Sequence, residues 1–287
     1  MGTAICWSFS SIFFTHAGRK IGPLALNLIR LPLAILFLAV SFLLLDKDFS
    51  HLESGVVYLM LSGIVGLALG DTFLFRSLVL IGARLSMLLM ALAPAMAAIL
   101  AFIFLGEKIS GIGILGIFIT MSGVFWVLLE HNSSTSQGKE QISIQGIVFG
   151  LLGALGQASG LVFARVGLKH EMDPLLGTLI RMISATLILW PVSYLLGRVR
   201  MPHLRIVLNW SAFKWVIGGV IAGPFVGVWL SLIAVQHTDT GVAATLMSIV
   251  PITMLPLVIF FENEYPGWRA VSGAFIAVAG IALLFLR

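Results

Sequence analysis

Charge is scarce in this 287-residue chain, with Asp, Glu, Lys and Arg at 10% and hydrophobic residues at 59%, where ordinary soluble domains are roughly a quarter charged. That shortage excludes a water-soluble fold. Cysteine is reduced to Cys6, so neither a disulfide framework nor a Cys/His metal site is expected. The six histidines, at 16, 51, 131, 170, 203 and 237, never take metal-ligand spacing, and neither Gly-x-Ser-x-Gly nor His-Glu-x-x-His occurs. Asp46 and Asp48 form only a short acidic turn between apolar runs. No catalytic residue, cofactor or metal is therefore expected, and an intramembrane enzyme finds little to stand on. The formal net charge of +5 comes mainly from cations between apolar runs, where they set orientation in a bilayer. Nucleic acid is not read as a partner. Met1 to Phe14 is already membrane-like, with no basic segment or small-residue cleavage site, which argues against a removable signal peptide.

What the chain has in plenty is apolar run. A spanning helix needs about 20 largely apolar residues, and such runs fall near 2–17, 24–45, 55–80, 84–105, 110–129, 146–167, 175–197, 213–235, 241–261 and 267–286. The expected fold is all-α and integral to the membrane, with ten transmembrane helices. One segment of disordered composition follows the fifth run, giving a first unit at 1–130, a polar linker at 131–145 and a second unit at 146–287. The two units repeat. Pro23, Leu28, Ile29 and Arg30 recur 151 residues later as Pro174, Leu179, Ile180 and Arg181. Pro94, Glu107, Gly116 and Gly123 recur 157 residues later as Pro251, Glu264, Gly273 and Gly280. Five is an odd number of crossings, so the second unit enters with opposite orientation, giving the inverted repeat common among secondary transporters. Gly146, Gly150, Gly153, Gly156 and Gly160, and again Gly219, Gly223 and Gly227, form small-residue stripes that let helix backbones approach closely. They serve static packing or a sliding surface between the halves, and both fit the pattern.

The segment Gly70-Asp71-Thr72-Phe73-Leu74-Phe75-Arg76-Ser77-Leu78, followed by Gly82-Ala83-Arg84, Pro94 and Leu105-Gly106-Glu107-Lys108, resembles the EamA-type branch of the drug/metabolite transporter superfamily. Pro251, Glu264, Gly273 and Gly280 reproduce the signature in the second half, and Trp7 and Arg30 also look like family positions. The resemblance implies a ten-helix basket with a central cavity, alternating access and, in many members, export of amino acids or related metabolites, often coupled to protons. It does not identify a substrate. One departure stands out, because Val228 and Ile233 occupy the second-half places of Asp71 and Arg76, so any chemistry of that pair is asymmetric.

Charges within spans are the most informative residues, since each costs about 2.5–3.5 kcal/mol at a helix centre on insertion scales. Arg30, Asp71, Arg76 and Arg181 qualify. Arg30 and Arg181 are candidate counter-charges for a substrate carboxylate or phosphate, or else snorkel or pair within the bundle. Asp71 is the only acid well inside a run, and hence the candidate proton carrier, because a carboxylate can take up a proton where arginine stays charged. The competing view is a permanent ion pair with Arg30 or Arg76, although Asp71 and Arg76 sit on different faces of a helix. Trp7, Gln157 and Trp229 are expected to line the substrate site with the arginines. Ser8, Ser11, Ser159, Arg165, Gln236, Thr245 and Ser248 form a second tier that serves a cavity or merely bonds across helices. Pro94 and Pro251, with Pro256, bend their spans as candidate hinges.

The expected function is a secondary transporter and exporter of small metabolites such as amino acids, working by alternating access and coupled to protons, as a multi-pass protein of the cell (inner) membrane. Its partners are a small-molecule substrate and the lipid bilayer, and its oligomeric state is not read. The alternative is a phosphorylated-metabolite or nucleotide-sugar exchanger; a different class of reading is a non-transporting scaffold subunit. Lys and Arg outside the runs number nine on the side of the odd-numbered loops (Arg19, Lys20, Arg84, Lys139, Arg198, Arg200, Arg205, Lys214, Arg269) and five on the other (Lys47, Lys108, Arg165, Lys169, Arg287). The positive-inside rule alone would put both termini outside, whereas the resemblance implies cytoplasmic termini, and the latter is followed here.

Overall fold

The computed structural model describes residues 1–45, 55–133, 143–168, 173–197, 210–230 and 247–285. Among them the only regular structure is helical. The helices are α1 (Gly2–Ile21), α2 (Pro23–Leu44), α3 (Val56–Ser62), α4 (Asp71–Met90), α5 (Ala93–Leu105), α6 (Gly111–Ser133), α7 (Ile144–Leu168), α8 (Pro174–Leu195), α9 (Trp210–Val220), α10 (Val250–Glu262) and α11 (Trp268–Phe285). Two wide, π-helical stretches interrupt them, π1 (Gly63–Gly70) between α3 and α4, and π2 (Ile221–Gly227) after α9. Pro224 lies within π2, where a residue without an N–H cannot hold the ordinary helical ladder. Seven helical stretches among the described residues are long and apolar enough to cross a membrane: Pro23–Leu44, Val56–Met90, Gly111–Leu129, Ile144–Leu168, Pro174–Leu195, Trp210–Leu230 and Trp268–Phe285. Ala93–Leu105 and Val250–Glu262 are apolar but shorter. The chain is an integral, multi-pass membrane protein.

The runs at 55–80 and 84–105 are divided where the sequence reading placed the boundary, at Gly82. The helical path from Val56 is interrupted at Gly82, whose non-helical φ of 77° and ψ of 171° are open to glycine at little cost, and helix resumes from Ala83 to Met90. The second run is then broken at Ala91 and Leu92, just before Pro94 in the first turn of α5. Ser248 and Ile249 make the matching turn before Pro251. Proline sits comfortably in a first turn because its missing N–H would be unbonded there anyway, so Pro94 and Pro251 each start a new helix after a break. The first run is also longer than expected, 20 residues reaching Ile21.

Element boundaries keep the spacing of the sequence repeat. α2 and α8 are both 22 residues long and start 151 apart, α5 and α10 start 157 apart, and so do α6 and α11. Even the helix ends match. Gly106 and Asn263 both take left-handed backbone (φ 66° and 52°), and the Glu107 and Glu264 amides donate back to the Ala101 and Val258 carbonyls at 3.3 and 3.2 Å. α8 adds a cap of its own, with the Asp173 carboxylate accepting from the Leu175 amide at 2.8 Å.

Packing interleaves the two units. α7 lies along α3, π1 and α4, α1 lies along α9 and π2, α2 meets α8, and α6 meets α11. Glycine makes these contacts possible. A Cβ on Gly156 would stand 2.6 Å from Gly70 Cα, one on Gly160 2.9 Å from Gly66 Cα, and one on Gly123 2.6 Å from the Ala277 amide nitrogen. The stripe of α7 therefore holds π1 backbone to backbone, which places the residues flanking π1 in the protein interior.

Candidate functional site

The most polar point of the interior is assembled around π1 from four helices. Asn27 and Arg30 stand one turn apart on α2 and share a face. Asn27 is fully buried, and its amide nitrogen donates to the Leu67 and Ala68 carbonyls (3.2 and 3.4 Å) and to Thr72 Oγ1 (2.9 Å). Its Oδ1 accepts from Arg30 Nε and Nη2, both at 3.1 Å. One side chain thus ties α2 to π1 and aims the arginine.

Arg30 Nη2 donates to Asp71 Oδ2, an ion pair whose side chains are 5% and 6% exposed. The other carboxylate oxygen, Oδ1, accepts from Gln157 Nε2 on α7. Phe75 and Phe14 enclose the guanidinium, with ring centroids 4.9 and 6.0 Å from Arg30 Cζ. The competing partner, Arg76, instead lies over the Phe149 ring at 5.2 Å. Arg181, the repeat mate of Arg30, reaches toward the same place from α8. A Cβ on Gly66 would be 3.7 Å from Arg181 Nη2 and 3.8 Å from Gln157 Oε1, and Arg181 and Asp71 attract each other electrostatically. Arg181 Nε is buried and has no hydrogen-bond partner among the described residues. Two guanidinium groups therefore share one carboxylate, and the cluster carries an excess positive charge.

An aromatic group surrounds π2. Trp7 lies against Gly227, where an added Cβ would be 2.7 Å from Trp7 Cδ1. Trp229 packs on Phe225 with ring centroids 6.1 Å apart, and Phe225 on Phe37 at 5.7 Å. The structure thus brings Arg30, Asp71, Gln157 and Arg181 together, and sets Trp7 and Trp229 in the second group.

The second tier is more scattered. Ser8 Oγ donates to the Ala4 carbonyl at 2.8 Å and lies 2.6 Å from Thr253 Oγ1, and Ser11 and Ser159 donate to the Ser8 and Leu155 carbonyls, both at 2.9 Å. Arg165 is at the surface, paired with Glu107 at 2.9 Å. Ser248 falls in the turn before α10, while Gln236 and Thr245 lie outside the described residues. Asn27 and Thr72 were missed as site residues by the sequence reading. The signal was available, since an asparagine one turn before an arginine inside an apolar run is costly unless both are bonded. The pairs Arg84–Glu264 (2.5 Å) and Arg19–Glu262 (3.6 Å), which link the two units near helix ends, were missed as well.

Among the described residues no group of three or more His, Cys, Asp or Glu is placed to hold a metal ion. What the π1 cluster offers chemically is a buried, hydrogen-bonding surface of net positive charge. A family model described as the EamA-like transporter family matches the chain twice, over residues 1–129 and 144–286. The chain belongs to the EamA-like transporter family. Members are transporters and not enzymes, so this EamA-like protein moves small molecules across a lipid membrane. A solved crystal structure superposes on it with a TM-score of 0.62 at 17% identity, over 98% of this chain and 95% of that one, a likeness of fold alone. No curated protein matches this EamA-like chain.

Proposed function

We propose that this EamA-like transporter exports small metabolites such as amino acids by alternating access, and that it does so in the inner membrane with both termini in the cytoplasm. Its working parts are two inverted five-helix repeats, 1–130 and 146–287, joined by the linker 131–145. The observation that carries the reading is the charged cluster at π1. Its residues come from both repeats, Asn27, Arg30 and Asp71 from the first and Gln157 and Arg181 from the second. A static scaffold would have little use for such groups, each of which is expensive within a bilayer.

Substrate contacts fall to Gln157, Arg181, Trp7 and Trp229, with Arg30 held by Asn27 and Asp71. Arg181, whose Nε has no hydrogen-bond partner among the described residues, suits a carboxylate; a phosphate, with two charges near neutrality, would call for more cationic partners. This favours amino acids over phosphorylated metabolites or nucleotide sugars. Proton coupling is assigned to Asp71, which is released for protonation when movement of one repeat against the other separates it from Arg30. The breaks before Pro94 and Pro251 are the hinges of that movement.

The test is efflux and uptake in vesicles against amino acids, nucleosides, sugar phosphates and cationic drugs, with and without a proton gradient. Gradient-driven movement of carboxylate-bearing compounds is expected, and Asp71→Asn should abolish accumulation while leaving exchange. Movement of sugar phosphates only would favour the exchanger, and movement of nothing in the panel would favour a scaffold.

A further inference from the structure

Not every charge within the spans ends in the π1 cluster. Arg76 is half-buried on α4, and its guanidinium lies over the Phe149 ring of α7 at 5.2 Å. A ring attracts a cation, but it offers no lone pair to the five N–H donors of a guanidinium. No carboxylate or other acceptor among the described residues reaches those donors. Among the described residues, the buried side-chain nitrogens and oxygens without a partner belong to Arg181 and Glu262. The nitrogens of Arg76 are therefore open to the surface of the bundle.

That surface faces lipid. Leu69, Phe73, Arg76 and Leu80 follow one another along one helix face, and Leu69 and Leu80 are 53% and 44% exposed. Across the seam Val148 and Leu152, which flank Phe149 on α7, are 46% and 38% exposed. The opposite side of α4 is packed, with Ser77 and Leu78 fully or almost fully buried. The depth follows from the helix ends. α7 begins at Ile144, and a Cβ on Gly146 would be 3.1 Å from Leu80 Cβ. α4 bends at Gly82, roughly 9 Å of helix beyond Arg76. From there an arginine can lie along the helix and bring its head to the phosphate layer. The same ends carry Lys20, bonded to Ser211, Lys214 over Trp215, and Arg269 beside Trp126 and Trp268. None of the three is paired with a carboxylate among the described residues. This edge of the protein is positive.

We propose that the seam between α4 and α7 binds an anionic phospholipid of the surrounding bilayer, its phosphate on Arg76 and an acyl chain along Leu69, Phe73 and Leu152. The guanidinium fork matches a phosphate, Phe149 holds the head in place, and a lone charge facing acyl chains is costly until it finds such a partner. A zwitterionic lipid also carries a phosphate, but it brings a cation of its own to an edge that is already positive. Net negative charge is therefore selected. Arg76 belongs to the first unit and Phe149 to the second, so the lipid bridges the two. The site is separate from the π1 cluster and takes a lipid that is held, not transported.

The test uses the full-length protein, delipidated in mild detergent, with phosphatidylglycerol and phosphatidylcholine of identical acyl chains as probes. Binding is read by native mass spectrometry and by the shift in melting temperature on lipid addition. Wild type is expected to bind phosphatidylglycerol more than about tenfold tighter, the worth of a charge-assisted hydrogen bond. Arg76→Gln should bring the two lipids level, Arg76→Lys should keep part of the preference, and Lys214→Gln, at the same edge, should keep all of it. A second readout separates a lipid contact from a structural one. Without lipid, Arg76→Gln should melt no lower than wild type, because the arginine has no partner in the protein to lose. The proposal is overturned if wild type binds both lipids alike or neither, or if the preference survives Arg76→Gln. It is equally overturned if Arg76→Gln melts lower than wild type without lipid or fails to fold, which would reveal a protein partner. Inorganic phosphate that stabilises wild type as much as phosphatidylglycerol does would show a plain anion site and overturn it too.

Discussion

Replacing Asp71 with asparagine removes one negative charge and almost no volume, from a place where both partners are nearly out of solvent, at 5% and 6% exposure. Removing one member of a buried ion pair costs roughly 3–5 kcal/mol, because the other charge is left uncompensated. Two features set the value at this site. Asn27 Oδ1 still accepts two bonds from Arg30, and the new amide oxygen can accept a third, which points to the low end, about 3 kcal/mol. Against that, once the new amide turns its oxygen to Arg30 its nitrogen faces Gln157 Nε2, which donates to the carboxylate in the native protein. Gln157 must reverse its own amide to avoid donor meeting donor. Thermal unfolding in detergent, followed by tryptophan emission, should show Asp71→Asn melting about 6–12 °C below wild type, at roughly 2–4 °C per kcal/mol for chains somewhat shorter than this one. The double variant Arg30→Met with Asp71→Leu replaces the pair by apolar side chains and should recover most of the loss. A melting temperature for Asp71→Asn within about 2 °C of wild type would refute the ion-pair reasoning.

Asn27→Leu should cost about 3 kcal/mol, since it leaves Arg30 and two carbonyls of π1 short of partners, whereas Thr72→Ala should cost about 1 kcal/mol; chemical unfolding of the two variants side by side checks the ranking. Gly153→Leu and Gly223→Leu place bulk where a Cβ alone would stand 3.1 Å from the Leu74 amide nitrogen and 3.0 Å from Ser10 Cβ. Each should lose at least about 1–3 kcal/mol of stability, or turnover, and full transport with unchanged melting would show that those faces need no close approach. A double-mutant cycle on Arg84→Gln and Glu264→Gln should give a coupling of about 1–2 kcal/mol, and one on Arg165 and Glu107 less than about 1 kcal/mol, since the first arginine is 9% exposed and the second 56%. A fluorescent reporter fused after residue 287 that fluoresces only in the cytoplasm should be bright, and a dark one would return the orientation to the one given by counting Lys and Arg.

Apolar length, the repeat and the glycine stripes are properties of the chain taken in order, so they could be read without coordinates. A bilayer admits helices because every backbone group must be bonded within the segment, and 59% hydrophobic composition leaves little other choice. The repeat spacings of 151 and 157 residues reappear in the starts of α2 and α8 and of α6 and α11. Arg30, Asp71 and Arg181 stood out for the same reason, a cost that must be met somewhere. Which acid met which arginine was not in the sequence. Arg76 is nearer to Asp71 along the chain than Arg30 is, yet helix geometry turns it to the Phe149 ring. Asn27 passed unnoticed because its importance lies in three partners 40–45 residues away, the Leu67 and Ala68 carbonyls and Thr72, which are brought to it by the π-helical turn. Periodicity cannot announce a wide turn, since π1 and an ordinary helix of the same apolar residues read alike. Only the packed bundle, by closing α7 on π1 through its glycines, decided that Arg30 would be bonded through Nε and Nη2 to Asn27 and Asp71 while the Nε of its repeat mate Arg181 is buried with no acceptor among the described residues.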